Sequence, residues 1–162
     1  MIVVTDAGPL IYLAGGGQLR LLRVLYDRVV VPRIVFEEVT VAGQGLVGAS
    51  EVASADGLEV IDRVADPDLL DALDAGEAAA IPLAEELGAI LLVDDGAARA
   101  VASERGIAVV GSLGVLLAAK RRGHLEAVEP VLDRMVLLGM FVAPALRAHV
   151  LALAGESGRE GG

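Results

Sequence analysis

The sequence contains no cysteine and no tryptophan, and its aromatic residues are two tyrosines and two phenylalanines. Without cysteine there is neither a disulfide framework nor a thiolate metal site, and with two histidines a zinc centre is not expected either. Cations are scarce too: one lysine and 12 arginines face 23 acids, a formal net charge of −10. Phosphate contacts supply most nucleic-acid affinity, so this balance counts against such a partner unless bound cations cancel part of the acid excess. Long apolar runs are missing as well. The longest, Met135 to Leu146, has 12 residues and contains Pro144, against about 20 for a spanning helix. The first 19 residues hold no Lys or Arg and include Asp6, which does not suit a secretion signal, so a cytoplasmic location is expected.

What remains is aliphatic. The chain is 55% hydrophobic with a mean hydropathy of +0.65, so the core must be built from Val, Leu, Ile and Ala. That composition suits a buried parallel sheet flanked by helices. Its 162 residues suffice for one domain, expected over 1–154, with the Gly-rich stretch 155–162 as a disordered tail.

Short β-branched runs alternate with helical segments. Strands are expected at 2–5, 29–31, 58–61 (an edge strand), 90–93 and 107–110. Helices are expected over 8–26 with a break at Gly15-Gly16-Gly17, from Pro32 to about Thr40, over 75–87 and over 97–105. Further helices should start near Leu113, Leu125 and Ala145. Pro32 suits a first helical turn, and Pro82 should remove a helical bond to Ala78 and kink its helix. The alternation implies a three-layer α/β/α sandwich around a parallel sheet.

In open parallel sheets ligands bind beyond the carboxyl ends of the strands. Asp6 stands there after the first strand, and Asp94-Asp95 stand there after the run ILLV. Each could instead be an N-cap for the helix that follows. Helical phase adds two more acids. Glu38 shares a face with Ile34, Val35 and Val39, while Glu37 turns outward and stands four residues after Arg33, a surface pair. Glu77 lies on the face of Leu73, Ala80 and Ile81, although Asp74-x-x-Glu77 also has the form of a capping box. Acids converging on one pocket repel unless a cation is present. Oxygen donors without Cys or His select Mg²⁺ or Mn²⁺, and such a site suits hydrolysis of phosphodiesters by activated water.

The stretches VVTDAGPLIYLA, VPRIVFEEV, LDAGEAAAIPLAEELGA and ILLVDDGAARAVASERGIAVVGSLGVLLAAKRRG resemble the PIN domain, in particular its VapC-like branch, over residues 2 to about 153. The resemblance implies a three-layer fold with a central parallel sheet and Mg²⁺- or Mn²⁺-dependent ribonuclease activity. It also implies a toxin of a toxin–antitoxin pair, with an RNA substrate, a cognate antitoxin protein and a homodimer. By motif it makes Asp6, Glu38, Glu77 and Asp95 the catalytic acids, and Asp6, Glu77, Asp94 and Asp95 the metal ligands. Gly8 stands where many members carry a hydroxyl. Ser112 resembles a Ser/Thr position near the site, though a helix cap explains it equally. Arg99, Lys120 and Arg121 are candidate substrate contacts. In Lys120-Arg121-Arg122-Gly123 the competing reading is of basic residues that complement a helix C-terminus closed by a glycine.

Three other functions compete. Gly43-Gln44-Gly45-Leu46-Val47-Gly48 matches G-x-G-x-x-G, with Asp62 near the place of a ribose-binding acid. A dinucleotide site would require IVFEEVTVA to be a strand, burying Glu37 and Glu38. An aspartyl phosphotransferase would need an acid where Gly8 stands. A catalytically inactive PIN-like module binding RNA or protein is the third, and the intact acid set argues against it. His124 and His149 are expected at the surface. The stripe Leu132, Met135, Val136 and Gly139 fits either core or a dimer seam.

Overall fold

A computed structural model describes residues 1–156. Five parallel strands form one sheet: β1 (Ile2–Thr5), β2 (Arg28–Pro32), β3 (Leu58–Ile61), β4 (Ile90–Leu92) and β5 (Val109–Val110), in the order β3-β2-β1-β4-β5. Helices α1 (Ala7–Gly15), α2 (Arg20–Leu25), α3 (Arg33–Glu37), α4 (Ala49–Ser54), α5 (Ala75–Leu87), α6 (Gly96–Glu104), α7 (Ser112–Arg121), α8 (Glu129–Leu137) and α9 (Pro144–Leu153) complete it.

β1, β2 and β4 are buried on both faces, which is why they read as unbroken aliphatic runs. Side chains alternate between two cores. Val3, Val29, Val31 and Leu92 pack with Leu10, Leu13, Leu116 and Leu132. Val4, Val30, Leu91 and Val93 pack with Ala80, Ile81, Ala98 and Ala102 of α5 and α6 on the other side. The result is a three-layer α/β/α sandwich. The small alanine faces of α5 and α6 let those helices lie close on the sheet.

Several boundaries differ from the expected ones, each for a local reason. Pro32 ends β2 and caps α3 rather than opening it. The helix expected to reach Thr40 stops at Glu37, and residues 38–42 form a π turn closed by Gly43 N–H donating to the Glu38 carbonyl at 3.0 Å. β5 is two residues long, and α8 begins at Glu129 instead of Leu125. Pro82 does lie inside α5, and the carbonyl it leaves free, that of Ala78, accepts from Asp66 N–H at 3.0 Å. A neighbouring loop thus satisfies the missing bond.

Other expectations are corrected. Arg33 pairs with Asp62 instead of Glu37. The Gly43–Gly48 segment follows a helical turn, so the strand a dinucleotide site requires is absent there. Gly48 serves packing: it has φ +89°, and a Cβ on it would sit 3.1 Å from the Ile11 carbonyl oxygen of α1. Leu132 and Met135 are core residues, while Val136 and Leu137 face outward. Of the stretch expected to be a disordered tail, Gly155 and Glu156 are described, and Glu156 is firmly held. Its carboxylate accepts from Val128 N–H (2.8 Å) and Glu129 N–H (3.0 Å) at the start of α8 and from Lys120 Nζ (2.8 Å). Residues 157–162 lie outside the described residues. Among the described residues no helix is long and apolar enough to cross a membrane.

Candidate active site

The strand order reverses at β1. From it the chain builds outward to β2 and β3, then crosses back through α5 to β4 on the other side. The carboxyl ends of β1 and β4 therefore form the switch point where such sheets open a crevice. The Asp6 amide donates to the Leu92 carbonyl at 3.0 Å, locking the two strand ends together. Asp6 and Asp95 therefore both emerge from the same edge of the sheet.

Asp6 has the extended backbone of an N-cap but makes no side-chain capping hydrogen bond. Its carboxyl is only 8% exposed and is pushed up from 3.8 to about 7. Burial is the main cause; the Ala7 amide offsets part of it, and the charges of Asp74, Glu77 and Glu38 add to it. An acid that caps nothing, is buried and faces three others is poorly explained as a structural residue.

Glu38 reaches the same place from the end of α3. A Cβ on Gly76 would lie 3.3 Å from both Asp6 Oδ1 and Glu38 Oε2, and 3.1 Å from Val35 Cγ2. The two carboxylates thus meet across a bare patch of α5. Desolvation raises the Glu38 carboxyl, followed by the charge of Asp74. The π turn that starts at Glu38 changes the helical phase there; such turns recur at functional sites.

Glu77 is buried (7% exposed) at the start of α5. The capping box is real: Glu77 N–H donates to Asp74 Oδ1 at 2.8 Å, and Asp74 N–H donates to Glu77 Oε1 at 3.1 Å. One oxygen of each carboxylate remains uncommitted. The Glu77 carboxyl is raised chiefly by burial, partly offset by the Asp74 amide, with the charges of Asp74 and Asp95 adding. Cap and site acid are therefore the same residue. Asp95 is likewise a cap, Oδ2 accepting from Ala98 N–H at 3.0 Å, and it is exposed.

Asp94 and Ser112 play a different part from the one expected. Asp94 accepts from Ser112 N–H (2.7 Å) and Ser112 Oγ (2.6 Å), so both its oxygens are committed. Gly111, not Ser112, is the N-cap of α7. The part-buried Asp94–Ser112 pair ties the end of β4 to the start of α7. Arg99 reaches back from α6 to the Val93 carbonyl at 3.2 Å, and a Cβ on Gly111 would sit 2.8 Å from its Nη1 and 3.1 Å from Asp94 Oδ1. Lys120 and Arg121 are not brought to the acids. They stand at the far end of α7, where Lys120 is paired with Glu156. Two residues beside the acids give no functional signal in the sequence: Asp74, whose pattern is that of a helix cap, and Gly76, which carries no chemistry of its own.

Over residues 2–156 the chain matches the family model described as DUF3368: PIN domain. The chain belongs to the PIN-domain family. Its fold agrees: a PilT N-terminus domain protein from the hyperthermophilic archaeon Sulfolobus solfataricus P2 superposes with a TM-score of 0.54 at 20% identity, covering 79% of this chain and 97% of that one. No curated protein matches the sequence. PIN domains are typically nucleases and generally use divalent metal ions.

Among the described residues no three carboxylate or imidazole groups already stand around one point closely enough to hold a metal. The donor chemistry nevertheless fits, because the cluster is all hard oxygen and Asp6 carries the charge stress that a cation relieves. Asp6, Glu77 and Asp95 are the residues that would hold the ion, each with a carboxylate oxygen free of protein hydrogen bonds.

Proposed function

We propose that this PIN domain is a Mg²⁺- or Mn²⁺-dependent endoribonuclease. The observation that supports it most is the approach of Asp6 and Glu38 across Gly76, with the charge of Glu77 felt at Asp6 and that of Asp95 felt at Glu77. When bound, a divalent cation supplies charge neutralisation and Lewis acidity toward water and phosphate. The protein's own part is positional and protolytic. Asp6 and Glu77 are buried and held by the strand end and the capping box, so their free oxygens keep one direction. Glu38, at the solvent edge and with a raised carboxyl, is placed to accept the proton of the attacking water. Arg99 is the cation positioned to take the phosphate.

The VapC-like resemblance supports a toxin role, with a cognate antitoxin protein and a homodimer as partners. Growth arrest on expression, relieved by co-expression of a neighbouring gene, would bear on the first, and sedimentation on the second.

The purified protein should cleave RNA with Mg²⁺ or Mn²⁺ and stop when a chelator is added, with activity restored by the metal. Absence of cleavage on varied RNAs under metal would overturn the reading in favour of an inactive binding module. Gly76→Ala supplies a subtler check. The added methyl must displace Val35 and the carboxylates of Asp6 and Glu38 by a few tenths of an ångström, while helix propensity gains slightly. Thermal stability should stay near the wild-type value and kcat/KM should fall by roughly 10- to 100-fold.

A further inference from the structure

Glu38 approaches Asp6 from an unusual stretch of backbone, and two of its neighbours account for that stretch. In an α-helix each N–H donates to the carbonyl four residues back. Here Gly43 N–H donates to the Glu38 carbonyl, five residues back, at 3.0 Å. Turns of this width are rare, so something local must favour this one. Thr40 supplies one hold. Its Oγ donates to the Phe36 carbonyl at 2.7 Å, a back-bond spanning Glu38 of the kind that bends helices.

Gly43 supplies the other. A Cβ on it would lie 2.7 Å from the Val39 carbonyl oxygen and 3.2 Å from that of Glu38, and the first distance is one that real Cβ atoms do not adopt. Its φ of −89° is open to other residues, so glycine serves here for space and not for backbone freedom. Any side chain at position 43 must push the carbonyls of Val39 and Glu38 aside. Val39 is buried in the core and Glu38 is exposed, so Glu38 is the residue free to yield. The first glycine of the G-x-G-x-x-G pattern thus has a use unrelated to phosphate.

We propose that Thr40 and Gly43 are positioning residues of the reaction: by keeping the turn wound they aim the Glu38 carboxylate across Gly76 at Asp6. The proposal rests on the RNA-hydrolase reading above, in which Glu38 accepts the proton of the attacking water. Neither residue brings a group of its own to the chemistry. Gly43 has no side chain, and the Thr40 hydroxyl is spent on Phe36.

Gly43→Ala should lower kcat roughly 10- to 100-fold, as expected when a reacting group is misplaced by an ångström or less, with KM within about twofold. Thr40→Val, which loses the hydroxyl and keeps the shape, should cost roughly 3- to 10-fold in kcat. Thr40→Ser keeps the hydroxyl and should regain most of that loss. Thr40 is half-buried, so both of its variants should fold as the wild type does. The decisive measurement is made in Glu38→Gln with enzyme in excess. With the carboxylate gone, neither Gly43→Ala nor Thr40→Val should cost more than about a further twofold. A nuclear Overhauser contact between the Glu38 γ protons and the Gly76 α protons reads the aim without catalysis. It should be present in the wild type and weakened in Gly43→Ala and Thr40→Val. Wild-type kcat in Gly43→Ala, a full penalty retained in Glu38→Gln, or an Overhauser contact unchanged by both variants would overturn the proposal. If the wild type cleaves no RNA, the hydrolase reading falls, while the Overhauser contact still decides whether these two residues place Glu38.

Discussion

Asp6→Asn is expected to abolish hydrolysis, by roughly 100-fold or more in kcat, and at the same time to stabilise the metal-free protein above pH 7. The two effects share one cause. The Asp6 carboxyl is pushed up from 3.8 to about 7 in the folded protein, so the folded state binds its proton more tightly than the unfolded chain does. The group's destabilising effect is absent below about pH 4, grows as pH rises, and is complete once the carboxyl ionises near pH 7. Its upper bound is about 4 kcal/mol. Denaturant unfolding of the metal-free protein at pH 5 and pH 8 should show the wild type losing stability across this window. Asp6→Asn, which cannot ionise, should lose less. Mg²⁺ or Mn²⁺ should restore the wild type at pH 8 and help the variant little. Wild-type turnover in Asp6→Asn would remove Asp6 from the site, and identical pH dependence of the two proteins would show that its burial carries no such cost.

Glu77 tests whether a cap and a site acid can be told apart. Gln at this position still accepts from Asp74 N–H, so Glu77→Gln should keep the start of α5 intact while removing the charge. Its kcat should drop by roughly 100-fold or more, with stability equal to or above wild type, because a buried carboxyl raised by its surroundings has been neutralised. Glu77→Ala should lose the same activity and also about 0.5–2 kcal/mol from the broken capping box. Thermal melts of the two variants beside their activities separate the roles. If Glu77→Gln stays active while Glu77→Ala does not, the residue is a cap alone.

Much of this was legible without coordinates because it depends on neighbours in the chain. The aliphatic runs of β1, β2 and β4 are strands buried on both faces, and their composition already says so. The capping box Asp74-x-x-Glu77 is a four-residue pattern, as is the cap at Asp95, and both form as their spacing implies. The placement of Asp6 and Asp95 at strand ends follows from the alternation of strands and helices. Helical phase also selected Glu38 over Glu37.

The remainder depended on segments far apart in sequence. Lys120 sits in a basic run that suggests phosphate, but Glu156 occupies it from 36 residues away. Asp94 and Asp95 look equivalent on paper; Ser112, brought in by α7, commits both oxygens of Asp94 and leaves the neighbouring acid facing the site. The Gly-rich segment imitates a phosphate loop, but in the structure it follows a helical turn and its Gly48 packs on Ile11.

The strands, most of the helices and the layering are thus properties of the sequence alone, since each follows from local periodicity and from where strands must end. Which acids are strained, which are spent on structure and what adjoins them were decided only in the folded molecule. Burial and the approach of one carboxylate to another are set by contacts between distant elements. Gly76 shows it best: as a residue it says nothing, and in the structure it is the gap that lets Asp6 and Glu38 meet.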